Sequence, residues 1–167
     1  MKVLFISDIH GIDKNINKIE EVITNKNIDR IVCLGDVLNP NYSSKVVEFL
    51  KKYKNRSICM KGNCDSDFDE KEFNLIPGLY KMNLDGIDIY LNHGHEYNID
   101  KDNFNGDILI YGHKHIPYIR KKDNKIFICV GSISLPRDDN GSSYMIYEDK
   151  TFIIYDMDNN VVDGIKI

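Results

Sequence analysis

The sequence predicts one α/β domain in which two packed β-sheets are flanked by helices. In the first half of the chain, short apolar runs of strand length alternate with amphipathic helical patterns. In the second half, strand patterns follow one another directly, separated by turn residues. The chain has 167 residues and shows no linker or internal repeat, so we expect a single domain over 1–167.

The first half predicts a largely parallel sheet. Residues 2–7 form a continuous apolar run, as expected for a strand that is covered on both faces. Apolar residues then recur at spacings of four, three and four, which predicts a helix over about 13–26. Strands over 30–34 and 57–60 follow, with a second helix between them. In such a sheet the functional residues gather at the carboxyl ends of the strands.

The second half predicts strands joined by turns, and the last three of them are expected to form a closing antiparallel meander. Asp85-Gly86 separates two strand-like runs, 79–84 and 87–91, and this dipeptide is a strong signal for a two-residue hairpin. The other predicted strands cover 107–111, 117–121, 126–130, 143–148, 151–156 and 161–167.

The composition argues against several function classes. A formal net charge of −4 offers no basic excess for broad nucleic-acid binding. No apolar run approaches the roughly 20 residues of a membrane helix, and the first apolar run ends too early for a signal peptide. We therefore expect a cytoplasmic protein with no membrane partner. The four cysteines lack zinc-ribbon spacing, and Cys33, Cys59 and Cys129 lie within strand-like runs as small hydrophobes.

All five histidines lie in polar clusters that follow strand-like runs. A lone Asp-x-His or Gly-Asp is a weak signal, and each is more often a polar turn. Several such clusters at strand ends, joined by aspartates and an asparagine, instead indicate a metal site. Mixed carboxylate, amide and imidazole ligands suit Mn, Fe, Zn and Ni alike. The clusters are Ser7-Asp8-Ile9-His10-Gly11, Gly35-Asp36, Gly62-Asn63-Cys64-Asp65, His93-Gly94-His95 and Gly112-His113-Lys114-His115.

The order of these motifs from Ser7 to about Arg137 resembles the calcineurin-like metallophosphoesterase superfamily, and within it the small YfcE-type phosphodiesterases. The segment Gly131-Ser132-Ile133-Ser134-Leu135-Pro136-Arg137 is similar to a loop of this branch. The resemblance implies a four-layer αββα sandwich with a binuclear metal site. By this resemblance one metal is held by Asp8, His10, Asp36 and His115, and the other by Asp36 as a bridge, Asn63, His93 and His113.

The activity that the resemblance implies is hydrolysis of small phosphodiesters by attack of a metal-bridging hydroxide. Two cations about 3.5–4 Å apart lower the pKa of bound water and neutralise charge at phosphorus. No protein nucleophile is then required, in agreement with the absence of a Gly-x-Ser-x-Gly motif. We expect two divalent ions, with Mn ahead of Ni, Fe and Zn, and a small phosphoester substrate. Strand pairing between subunits would allow a homodimer or homotetramer.

Four residues are candidates for a direct part in catalysis, whether or not they also bind metal: Asp36, Asn63, Cys64 and His95. Cys64 stands where many superfamily members have a histidine that protonates the leaving group. A thiol is a weak donor, so Cys64 either gives weak help to alkoxide leaving groups or only packs. His95 would orient the phosphate or a ligand, and Asp65 would hold a neighbour in place. We expect Arg137 to be a surface charge.

A different function class competes with the enzyme. A eukaryotic relative of this branch, the retromer subunit Vps29, is a protein-interaction scaffold that has lost part of the ligand set. A scaffold of this type would bind metal weakly or without turnover. This sequence keeps every ligand position named above, which favours catalysis.

Overall fold

A computed structural model describes residues 1–39, 41–96 and 105–167. The helices are α1 (Ile16–Asn25), α2 (Ser44–Tyr53) and α3 (Asp67–Phe73), and a 3₁₀ turn at Lys54–Arg56 follows α2. The strands are β1 (Val3–Ile6), β2 (Arg30–Cys33), β3 (Ser57–Cys59), β4 (Tyr80–Leu84), β5 (Ile87–Leu91), β6 (Ile108–Tyr111), β7 (Tyr118–Lys122), β8 (Lys125–Cys129), β9 (Ser143–Glu148), β10 (Thr151–Asp156) and β11 (Val161–Lys166).

A six-stranded mixed sheet has the order β11-β10-β9-β1-β2-β3. Strands β1, β2 and β3 pair in parallel, as their alternation with helices predicts. The predicted meander of β9, β10 and β11 pairs antiparallel and joins the same sheet through β1. The parallel half and the meander therefore form one continuous sheet.

A five-stranded mixed sheet has the order β4-β5-β6-β8-β7. The predicted hairpin of β4 and β5 is present, and Asp85 and Gly86 at its turn have φ of 50° and 87°. Positive φ at both central residues is what a type I′ turn requires. Strands β5, β6 and β8 run parallel, so this sheet also has carboxyl strand ends at a common edge.

The alternation of side chains in β1 explains its continuous apolar run. Val3 and Phe5 belong to the core between the two sheets, whereas Leu4 and Ile6 belong to the core beneath the helices. Successive side chains of a strand point to opposite faces, and here both faces are covered. The residues of α1 and α2 that belong to the same core as Leu4 and Ile6 are Ile16, Ile19, Val22, Ile23, Val46, Phe49, Leu50 and Tyr53.

The two mixed sheets with flanking helices confirm the predicted fold class. All three helices contribute apolar side chains to the core on one side of the six-stranded sheet. Among the described residues, no helix covers the outer face of the five-stranded sheet. No helix within these residues is long and apolar enough to cross a membrane.

Among the three described α-helices, α3 is the one that the sequence did not predict. Ser66 and Asp69 form a capping box, in which each side chain accepts a hydrogen bond from the backbone of the other. Asn74 ends the helix in the left-handed conformation, with φ of 52°. The spacing of Ser66 and Asp69 was the available signal. Helix α1 begins at Ile16, three residues later than predicted, because the chain from Asp13 first forms a turn.

Phe152 is a sensitive test of the packing between the sheets. Its side chain is fully buried, and the centroid of its ring lies 4.8 Å from that of the Tyr147 ring and 6.3 Å from that of the Phe5 ring. We expect Phe152→Ala to lower the free energy of unfolding by about 3–5 kcal/mol, since it removes a ring from a close-packed interior. Urea unfolding measures this change. Val161→Ala is the control, because Val161 is 65% exposed and its truncation should cost less than about 0.5 kcal/mol. A loss below about 1 kcal/mol for Phe152→Ala would contradict this packing.

Candidate metal centre

The loops after five strands meet at one edge of the two sheets. Strands β1, β2 and β3 of one sheet and β5 and β6 of the other are each followed by predicted site residues. These loops carry, in chain order, Asp8 and His10, Asp36, Asn63, His93, and His113 and His115. Contacts between them join both sheets, because the backbone N–H of His113 donates to Oδ2 of Asp8 at 2.9 Å.

The backbone of these loops is strained. Five of the seven predicted metal ligands have positive φ, although none is a glycine. Such conformations cost of order 1–3 kcal/mol each and persist at functional sites where the surroundings enforce them. The residues and angles are Asp8 (53°), His10 (51°), Asp36 (51°), His113 (63°) and His115 (58°).

Two glycines allow the loops to approach closely. A Cβ at Gly62 would lie 2.1 Å from Oδ1 and 2.3 Å from the backbone nitrogen of Asp36. A Cβ at Gly112 would lie 1.8 Å from Oγ of Ser7 and 2.7 Å from Oδ2 of Asp8. The motif glycines are therefore required for space around both carboxylates.

One group of ligand atoms lies between the loops after β1 and β6. Oδ1 of Asp8 is 3.2 Å from Nε2 of His115 and 3.9 Å from Nε2 of His10. The two Nε2 atoms are 3.4 Å apart. Asp8, His10 and His115 are 0%, 7% and 4% exposed, so this group is shielded from bulk solvent.

A second group forms around Asp36. Oδ2 of Asp36 is 3.4 Å from Nε2 of His93 and 3.6 Å from Nε2 of His10. Nε2 of His93 is also 3.1 Å from Oδ1 of Asn63. The ring of His113 lies 5.1 Å from that of His93, centroid to centroid. Asp36 thus lies between the two groups of ligand atoms.

Backbone carbonyls orient three of the imidazoles. Nδ1 of His93 lies 2.7 Å from the carbonyl oxygen of Leu34, and Nδ1 of His115 lies 2.6 Å from that of Leu135. Nδ1 of His10 lies 3.2 Å from the carbonyl oxygen of Asn39. A carbonyl accepts only, so each Nδ1 carries a proton, and the Nε2 atom of each ring is directed into the centre. This is the usual arrangement of metal-binding histidines.

Asp65 organises the loop that carries Asp36. Its Oδ2 accepts from the backbone N–H groups of Asp36 at 2.9 Å and Gly62 at 2.8 Å. Its Oδ1 accepts from Val37 at 2.8 Å and Leu38 at 3.4 Å. Burial and the charge of Asp36 raise the pKa of Asp65, against the lowering effect of these N–H groups. Asp65 joins the loops after β2 and β3, which is the neighbour-holding role that its motif predicted.

The 131–137 segment also holds His115 in position. Oγ of Ser132 donates to the carbonyl of Asp8 at 2.8 Å and accepts from the N–H of Leu135 at 2.8 Å. The carbonyl of Leu135 accepts from His115, and the N–H of Arg137 donates to the carbonyl of His115 at 3.0 Å. The side chain of Arg137 is exposed, as predicted.

The charges of the centre shift the acidity of its members. Burial would raise the pKa of Asp36, but the hydrogen bond and charge of His93 lower it well below its usual value. Burial would lower the pKa of His93, but Asp36 and Asp8 raise it. Burial would likewise lower the pKa of His115, and Asp8 raises it. Burial and the nearby His93 lower the pKa of His113.

The structure brings the seven predicted ligands together, and it places the two remaining candidates at the rim. Sγ of Cys64 lies within 4.8 Å of ligand atoms of His10 and Asp36. Burial and the charge of Asp36 raise the pKa of this thiol to about 11. His95 is exposed, and the centroid of its ring lies 5.4 Å from that of the His93 ring and 6.1 Å from that of the His113 ring. Sequence reasoning missed the orienting carbonyls, because a carbonyl belongs to every residue and leaves no sequence signal.

The donor set fits divalent metal ions. Oδ1 of Asp8 is fully buried and accepts no hydrogen bond from the residues that the structure describes, a costly state for a carboxylate oxygen. Only one proton can lie between the facing Nε2 atoms of His10 and His115, whereas a cation accepts both lone pairs. Groups of His and Asp atoms able to hold an ion include Asp8, His10 and His115, and Asp8, Asp36 and His93.

The chain is similar in sequence to proteins of one family. Residues 1–151 match the family described as the calcineurin-like phosphoesterase superfamily domain. The chain is 31% identical to the phosphodiesterase YfcE of Escherichia coli K12, over 100% of this chain and 98% of that protein. It is 29% identical to the probable metallophosphoesterase YsnB of Bacillus subtilis, over 99% of this chain and 97% of that one.

Solved structures show the same fold. The structure of the phosphoesterase YfcE from E. coli superposes with a TM-score of 0.91 at 27% identity, covering 100% of both chains. The zinc complex of Vps29 from Entamoeba histolytica has a TM-score of 0.71 at 21% identity, with 99% of this chain and 98% of that one covered. The Vps29 likeness shows the fold alone. With a family match over most of its length, the chain belongs to the calcineurin-like phosphoesterase superfamily.

Proposed function

We propose that the protein is a metal-dependent phosphodiesterase acting on small phosphodiesters. The observation that carries the proposal is the buried, unpartnered Oδ1 of Asp8 facing the Nε2 atoms of His115 and His10. Such an arrangement is costly as a purely structural feature, and it suits a site that binds cations. Similarity to YfcE, a named phosphodiesterase, supports the reaction class.

Two divalent ions would be held by the sets that the family resemblance implies. Asp8, His10, Asp36 and His115 would hold one ion, and Asp36, Asn63, His93 and His113 the other, with manganese proposed ahead of Ni, Fe and Zn. When bound, such ions lower the pKa of water and offset the negative charge of a phosphate ester. The protein's part is to fix the ligands, through the carbonyls that orient the imidazoles and through Asp65.

The exposure of the ligands indicates where a substrate enters. Asp8, Asp36 and His93 form a buried floor, while Asn63 and His95 are exposed. A small phosphodiester would therefore approach from the side of Asn63 and His95, and the imidazole of His95 would orient a phosphate oxygen. The two carboxylates of the floor would repel this anion in the absence of bound cations. Binding of substrate thus depends on binding of metal.

Turnover of bis-p-nitrophenyl phosphate with Mn²⁺ tests the proposal. We expect metal-dependent hydrolysis that chelation abolishes, and Asp36→Asn should lower kcat/KM at least about 100-fold because it weakens a ligand shared by both metals. Asp123→Asn is a matched control, since Asp123 is exposed and has φ of 51°, the same as Asp36. It should keep full activity. Metal binding without turnover by the unmodified protein would instead favour the scaffold of Vps29 type.

Asp8→Asn separates the metal from the fold. Without metal, the change removes a buried charge that accepts no hydrogen bond at Oδ1, so stability should be unchanged or higher by about 1–3 kcal/mol. An amide oxygen still accepts from His113, and asparagine tolerates the left-handed backbone. The stabilisation that bound Mn²⁺ gives to the folded protein should largely disappear in this variant. Thermal unfolding in chelator and in Mn²⁺ measures both effects. Strong destabilisation in chelator, or an intact response to Mn²⁺, would contradict this assignment of Asp8.

A further inference from the structure

Two cysteines outside the metal centre face each other across neighbouring strands. Cys33 ends β2 and Cys59 ends β3, and the two residues are partners in the parallel register. Neighbouring strands lie about 4.7–4.9 Å apart. This spacing falls within the roughly 4.4–6.8 Å Cα separation that a disulfide spans. Both side chains pack in the core beneath the helices, so they point to the same face of the sheet.

Cys59 is accessible to small molecules, whereas Cys33 is buried. Cys59 is half-buried and lines a cavity of about 300 Å³ between the end of α2, β3 and α3. Water occupies about 30 Å³ in the liquid, so a polar oxidant of similar size fits this space. Lys51 and Lys54 line the same cavity.

We propose that Cys33 and Cys59 form a redox-active pair that hydrogen peroxide converts into a reversible disulfide. The sulfur of Cys59 attacks one peroxide oxygen, the O–O bond breaks, and a sulfenic acid and one water form. The sulfur of Cys33 then attacks the sulfur of Cys59, the S–O bond breaks, and a second water leaves. Two thiols have lost two electrons and two protons, and the peroxide has been reduced to two waters. A thiol reductant reverses the link by exchange.

The cross-link would join the two strands that lead into the metal centre. Cys33 lies three residues before Asp36, and Cys59 lies four residues before Asn63. Neither cysteine has a role in the proposed hydrolysis. The redox pair therefore stands or falls independently of the phosphodiesterase activity.

Peptide mapping of the native, full-length protein tests this proposal. Trypsin separates the four cysteines into peptides 31–45, 57–61, 62–71 and 126–137. After treatment with hydrogen peroxide and alkylation of free thiols, we expect peptides 31–45 and 57–61 to be linked, with a mass lower than their sum by two hydrogen atoms. Dithiothreitol added before alkylation should remove the linked species and restore two alkylated peptides.

The remaining cysteines and one variant serve as controls. Cys64 and Cys129 should stay unlinked, which their peptides 62–71 and 126–137 report in the same digest. In Cys33→Ser, Cys59 lacks its partner, so peroxide should carry it to the sulfinic acid, which dithiothreitol does not reverse. The unmodified protein decides the outcome even if this variant folds poorly. A sulfinic or unmodified Cys59 with no link to Cys33 would overturn the proposal, as would a link that forms only in urea.

Discussion

The centre depends on the carbonyl groups that fix its imidazoles. Leu34, Leu135 and Asn39 each present a backbone oxygen to Nδ1 of a histidine, and this leaves the Nε2 atoms directed at Asp8 and Asp36. An electron-rich cluster in a buried place is unfavourable unless protons or cations occupy it. Protons and metal ions compete for the same atoms, so the affinity for metal follows from how firmly the backbone holds this arrangement.

The fold accepts local cost to build this arrangement. Left-handed backbone at Asp8, His10 and Asp36, and loops that approach too closely for any side chain at Gly62, all oppose folding. Asp65 compensates within the same region, since its carboxylate accepts from four backbone N–H groups of two loops. The cores on both faces of the six-stranded sheet supply the remaining stability. Strain at a site supported by a rigid core is typical of functional centres.

Much of this organisation could be predicted from local patterns. The continuous apolar run of β1 indicates a strand with two covered faces, and the polar residues after it, Asp8 and His10, fall at a strand end as predicted. The short helix α3 was missed because its seven residues give too few turns for an apolar period, and only its capping box marks it. The hydrogen-bond partners of the imidazoles were also missed, because the carbonyl of Leu34 comes next to His93 only when the chain folds.

The distribution of ligands over two sheets explains why convergence itself needed a structure. His93 and His113 follow strands of one sheet, whereas Asp8 and Asp36 follow strands of the other. Sequence patterns assign each residue to a strand end, but the register between two sheets is set by the apolar core that lies between them. Long-range packing therefore brings the halves of the centre into contact.

A crystal structure of the protein grown with Mn²⁺, with anomalous scattering measured at the manganese edge, shows directly whether these ligands bind two ions. We expect two anomalous peaks that share Asp36, one beside Asp8, His10 and His115 and the other beside Asn63, His93 and His113. Absence of both peaks at saturating Mn²⁺, or ions bound only at sites away from Asp36, would contradict this expectation.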